Sequence, residues 1–312
     1  MADDSGGWSA VESLLGDRYT REARLGPAFL SVFPIFLLLM VWFSGLRQAV
    51  PALLTLFCVF GVVRWISHIA RGIGDRKEKE LYRKWGGKPT TNMLRYTANR
   101  ITIDKIPNGS EVEYLLREAP PLERIQKVFD DREGRPAFPT KDAEDKFVEE
   151  AIRHAAATQK DKVNEDEVRV NALDSLYERV TAWMRENSRD TKLVFEENIS
   201  YGFQRNFFAL KAFAVTCGLL SLAVQIGAAL AAWRLHWTYA ISHALGAVLM
   251  AATIAYLVGV WVFVTEDAVQ IQGYTYARQL LDSLYGESAS AVPAGGKGKS
   301  GKPKDQGASA DS

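Results

Sequence analysis

Two cysteines, four histidines and a net charge of +1 are little to build site chemistry on. The cysteines, Cys58 and Cys217, lie apart inside apolar stretches. They offer neither a disulfide framework nor a CxxC metal site, and each is expected to pack as a small hydrophobe. The histidines, His68, His154, His236 and His243, are too scattered to supply the three or four ligands of a zinc site. The charge balance lacks the basic surplus that binds nucleic acid. GxSxG, HExxH, the protein-kinase set and GxGxxG are all missing, so no cofactor is expected. The second residue is Ala2, which excludes N-myristoylation, and the C-terminus carries no prenylation motif.

What the chain does have is four uncharged apolar stretches, paired around a charged middle: Pro27–Phe43, Gln48–Val63, Ala212–Trp233 and Leu235–Thr265. A bilayer core takes roughly 20 apolar residues of helix, with ~17 a workable minimum. Lipid offers backbone groups no partner, so such stretches must be helical. The charged residues, 24% of the chain, are concentrated in the middle and at the ends. The expected fold is an all-α membrane protein, with two transmembrane hairpins flanking a helical cytoplasmic domain. The segments run 1–26 (cytoplasmic), 27–70 (first hairpin), 71–207 (helical domain), 208–265 (second hairpin), 266–286 (amphipathic helix) and 287–312 (disordered tail). The mixed-charge N-terminus and the lack of a small-residue cleavage site make the first stretch an anchor rather than a signal peptide.

Orientation follows from Lys and Arg. Arg71, Arg76, Lys77, Lys79, Arg83, Lys84 and Lys88 crowd one side of the second stretch, whereas the turns Ser44–Arg47 and Arg234–Tyr239 hold one cation each. Positive residues collect in the cytoplasm, so both termini and the middle are expected there. The implied location is the cell membrane, with multiple passes.

The middle reads as helices. Arg76–Trp85 continues the second stretch until Gly86-Gly87 stops it, and Pro89-Thr90-Thr91 offers a restart with a threonine cap. Met93, Leu94, Thr97 and Ile101 would share one face. Pro107-Asn108-Gly109 is a turn. Ser110 with Glu113 is a capping-box pattern, and Thr140 caps a helix with Phe147, Ala151, Ile152 and Ala155 on one side. Asn164–Asn187 repeats apolar residues at helical steps. Two rows of small residues, Ala223/Gly227/Ala231 and Ala247/Ala251/Ala255/Gly259, suit close helix approach within the chain or in a homo-oligomer. After Glu266, an amphipathic segment returns to the domain or lies along the membrane. The tail, poor in large apolar residues, cannot offset its chain entropy and is expected to be disordered.

Five residues are candidates for function or an interface: Lys88, Arg95, Glu197, Arg205 and Arg64. Gly86-Gly87-Lys88-Pro89-Thr90-Thr91 has the look of half a phosphate loop, but a P-loop needs an upstream glycine and a preceding buried strand. A turn redirecting the helix is the favoured role. Glu196 or Glu197 is placed to pair with Arg205 beside an interfacial aromatic cluster. Arg64, near the inner boundary, is expected to snorkel to headgroups. The motifs around Gly86–Thr91 and Glu197–Asn206 resemble features of uncharacterised bacterial four-helix inner-membrane proteins, a resemblance that implies no activity. The functions the sequence supports are, in order, a membrane-anchored interaction or sensing protein, a channel or transporter subunit, and a membrane-bound enzyme. The expected partners are the lipid bilayer, a protein at the cytoplasmic domain and, as an alternative, a second copy of the chain.

Overall fold

The computed structural model describes residues 17–42, 49–96, 110–117, 119–130, 134–158, 164–235 and 243–290. Every regular element among them is helical. A π-helical turn, Thr20–Leu25, leads into α1 (Gly26–Trp42). The 37-residue α2 (Ala49–Trp85) follows, then the short helices α3 (Pro89–Leu94), α4 (Glu111–Arg117) and α5 (Leu122–Asp130). The domain continues with α6 (Lys141–Thr158), α7 (Glu165–Leu176) and α8 (Glu178–Asn187). The described residues end with the 44-residue α9 (Lys192–Leu235), α10 (His243–Phe263) and α11 (Glu266–Ser290).

Three helical segments are long and apolar enough to cross a membrane: Thr20–Leu39, Lys192–Ala231 and Ala244–Phe263. The second apolar stretch is helical from Ala49, but most of its side chains lie outside the described residues. So do the turns at 44–47 and 236–239, Thr97, Ile101, the Pro107–Gly109 turn and everything beyond Ser290. The last described helix runs through 287–290, so those four residues of the expected tail are helical.

Within the apolar layer, α9 packs on α1, α2 and α10. Pro34 has no N–H to give the carbonyl four residues earlier. The Tyr256 hydroxyl of α10 supplies the missing donor to that Leu30 carbonyl at 2.9 Å. The Ser221 hydroxyl of α9 donates to the carbonyl of Pro34 itself at 3.1 Å. Gln225 Nε2 reaches Ser221 Oγ and Thr253 Oγ1, which ties the three helices around the proline. These polar groups hold the layer together by serving one another, as buried donors in an apolar medium must.

The polar helical domain has its own core. Leu94, Ile125, Leu173, Tyr177 and Met184 are buried there together with Tyr274, Leu280 and Leu281 of α11. The segment after Glu266 thus packs into this core against α3, α4, α5 and α8, rather than forming a separate surface element. Several local expectations hold. Glu113 N–H donates to Ser110 Oγ and Ala143 N–H to Thr140 Oγ1. Others change. Asn164–Asn187 breaks at Tyr177 into two helices. The α3 cap position is Lys88, with Pro89 in the first turn and no side-chain cap. On α6, Ala151 and Ile152 pack on the core as expected, but Phe147 is exposed and Glu144 and Val148 are buried beside them. The small-residue rows look away from the helix contacts, and a side chain at Gly227 or Gly259 would meet nothing within 4 Å.

Candidate functional site

The polar half of α2 and the polar half of α9 run antiparallel where the apolar layer meets the domain. At this junction the Arg205 guanidinium pairs with Glu78 at 3.0 Å. Glu78 also accepts from the hydroxyls of Tyr82 at 2.7 Å and Tyr201 at 2.8 Å. Tyr201 stacks on Tyr276 of α11, with rings 5° from parallel. Both charges are only 17% exposed, so losing one partner would strand the other in a poorly solvated place. Burial, followed by the neighbouring Tyr201 and Glu78, pushes the Tyr82 phenol well above its usual value. The expected pairing of Arg205 with Glu196 or Glu197 does not form, because α9 runs straight through that region. Glu196 instead takes both arms of the Arg18 guanidinium, at 2.8 and 2.9 Å, and Glu197 accepts from Gln272.

At its far end α2 stops at Gly86-Gly87. Both glycines have positive φ, 74° and 133°, which other residues adopt only with strain. Asn92 and Arg95 hold the turn from inside. Asn92 Nδ2 lies within hydrogen-bond reach of the carbonyls of Trp85 and Gly87 and of Tyr274 Oη. Arg95, 1% exposed, donates to the Gly86 carbonyl at 2.8 Å. Burial pulls the Arg95 guanidinium below its usual range and pushes the Tyr274 phenol up to about 12. Arg95 is therefore a buttress of the turn rather than a surface contact.

A second buried carboxylate, Glu144, accepts from Tyr96 N–H at 3.0 Å and from Tyr177 Oη at 2.7 Å. Sequence reading did not single out Glu144. The signal available was its position four residues before Val148, on the same helical face.

Lys88 leaves the turn in a different direction. It lies on the rim of a cleft of about 780 Å³ between α2 on one side and α7 with the start of α8 on the other. The α2 wall carries Arg76, Lys79 and Arg83; the opposite wall carries Glu167, Asp174 and Glu178. The acidic groups are engaged. Glu167 faces Arg83 at 3.7 Å, and Glu178 pairs with Lys88 at 2.8 Å and with Arg185 at 3.0 Å. Asp174 accepts from Lys88 N–H at 3.2 Å and from the Thr91 hydroxyl. Burial opposes the charge on Glu178, but Lys88 and Arg185 outweigh it and hold that carboxyl below its usual range.

Neither a family model nor a curated protein nor a solved structure matches the chain. The site must be judged on its own geometry. Of the five sequence candidates, Lys88 lines the cleft, Arg95 lies buried behind it, and Arg205 and Glu197 belong to the junction. Arg64 stands exposed on α2, apart from both. They do not form one pocket. Sequence reading missed Arg76, Lys79 and Asp174 as site residues, because the cleft joins segments about 90 positions apart. Among the described residues, no three His, Cys, Asp or Glu side chains gather as metal ligands.

Proposed function

We propose that the protein is a membrane-anchored interaction or sensing protein. Two helical hairpins hold it in the cell membrane, with both termini and the helical domain in the cytoplasm. The crowding of Lys and Arg just past the second apolar stretch supports that orientation. The observation that carries the reading is the continuity of α2 and α9. Each is one unbroken helix from the apolar layer into the polar domain, and the Glu78–Tyr82–Tyr201–Arg205 cluster clamps the two together at the crossing. A displacement in either half is thereby delivered to the other through rigid elements. The domain surface carries exposed Tyr114, Phe147 and Leu193, apolar groups suited to a protein partner.

Two experiments test this. Single cysteines at Gly45 and Thr238 should react with an impermeant thiol reagent on intact cells, and one at Glu149 should react only after lysis. Labelling of position 149 in intact cells would reverse the orientation. Photocrosslinkers at Tyr114, Phe147 and Leu193 in native membranes should give a discrete protein adduct. No adduct at any of the three, together with ion flux through vesicles holding the purified chain, would replace this reading with the channel one.

A further inference from the structure

The cleft between α2 and α7 is unbalanced in a specific way. Its acidic groups are spent on internal partners, whereas Arg76 and Lys79 make no hydrogen bond or ion pair among the described residues. The two stand three positions apart on α2, so they are neighbours on one helical face, and Arg83 extends the row by four more. Among the described residues, the Arg83 side chain is held only by a long contact to Glu167, and both side chains are about half exposed. Such a pair contributes little and yields readily to a stronger anion. Ser175 and Asn171 add neutral hydrogen-bonding groups opposite, and Tyr82 and Val170 supply apolar surface.

We propose that this cleft binds a phosphate monoester, with Arg76, Lys79 and Arg83 on the phosphoryl oxygens and the organic part against Tyr82 and Val170. A monoester carries close to two negative charges and three strong acceptor oxygens, which balances the two unpartnered cations. Arg76 and Arg83 can each present a planar fork to two of those oxygens, and Lys79 adds a point charge. The volume lies within the range of small-molecule sites and exceeds what phosphate alone would fill.

Two sources can supply this chemistry, a soluble ester and the headgroup of a lipid. The position permits both. Lys211 of α9 donates to the carbonyl of Val264, at the end of the apolar α10. Arg205 lies six residues further from the apolar half, about 9 Å along the helix, and pairs with Glu78, which sits between Arg76 and Lys79 in sequence. The cationic wall therefore begins within about one headgroup layer of the apolar boundary. The cleft would hold such a ligand whether or not the domain surface also meets a protein, so this proposal and the interaction reading can fail separately.

The test uses the full chain. In detergent, glycerol 3-phosphate and glucose 6-phosphate are titrated by calorimetry and by thermal shift. In parallel, the chain is placed in nanodiscs of phosphatidylcholine with or without phosphatidic acid. Saturable binding of a soluble probe assigns the site to a free ester; stabilisation by phosphatidic acid alone assigns it to a headgroup. In either case Arg76→Gln with Lys79→Gln should weaken binding at least about tenfold, the loss of one or more charge-assisted hydrogen bonds. Arg76→Lys with Lys79→Arg keeps both charges but moves one planar fork, and should lose clearly less than the Gln pair. Lys141→Gln with Lys146→Gln, on α6 and outside the cleft lining, should bind like the parent. The proposal is overturned if no probe binds, if the Arg76/Lys79 pair binds like the parent, or if the α6 pair loses affinity to the same degree.

Discussion

Asp174 sits where the cleft meets the domain core, and its charge is held there against burial. Desolvation keeps its carboxyl above the ordinary range, although the Thr91 hydroxyl and Lys88 N–H favour the ionised form. The folded chain therefore binds this proton more tightly than the unfolded chain. By linkage, stability from this group falls as pH rises past the ordinary carboxylate value and is recovered as pH drops through the raised one. Asp174→Asn should raise the melting temperature at neutral pH and change it little at about pH 3, where both states are protonated. An equal effect at both values would mean that the charge is not what burial opposes. Single residues of this kind are the least legible in the sequence. Asp174 and Glu144 look like ordinary members of solvated helical faces; only the arrival of α3 half-buries Asp174, and Tyr177 meets Glu144 in the interior. The Gly86-Gly87 turn was legible, because two adjacent glycines at the end of a charged helix have few other uses.

At the scale of elements, the seam between α9 and α10 is not where the small-residue rows lie. A side chain at Gly218 would come within 2.5 Å of Leu257 Cδ2 and 3.0 Å of its Cγ, whereas Gly227 faces open space. Gly218→Leu should destabilise the helix pair by about 1–3 kcal/mol, a typical overpacking cost, and lower the melting point in detergent. Gly227→Leu should leave it unchanged. The reverse ranking would put the contact on the other face. Periodicity shows that a row of residues shares a face. In an apolar helix it does not show which face, because lipid and neighbouring helix are equally apolar. The polar set Ser221, Gln225 and Thr253 was the better guide to the interior. In the same way, the continuity of α9 was hidden by Tyr201–Asn206. These residues read as an interfacial aromatic cluster but lie on one unbroken helix, with Arg205 bonded to a partner 127 positions away.

The molecule as a whole is closed by its last helix. Tyr274, Ala277, Leu280, Leu281 and Leu284 are almost wholly buried in the core of a domain whose other members fall between Met93 and Val194. Lys84 also pairs with Glu266 at the point where α11 begins. A chain ending at Thr265 should lose the cooperative unfolding of the domain and become protease-sensitive between 110 and 187. A chain ending at Ser290 should melt like the parent. If the shorter chain kept a protected domain, α11 would be an accessory to the core rather than its centre. The sequence shows α11 as amphipathic, with one side in need of cover. What covers it depends on how the chain returns from α10, which no local pattern encodes.

That closure sets an order on synthesis. Domains tend to fold as they leave the ribosome, N-terminal parts first. Here the segment from Pro89 to Asn187 is complete long before the helix that fills its centre exists. During the interval in which α9 and α10 are made, its apolar face stays open, a target for chaperones and proteases. The domain is sealed only after both of those helices have been produced and the chain has turned back at Thr265. Completion of the polar half thus reports that the apolar half is in place, and a chain stalled between the two would be recognised by its unsealed core.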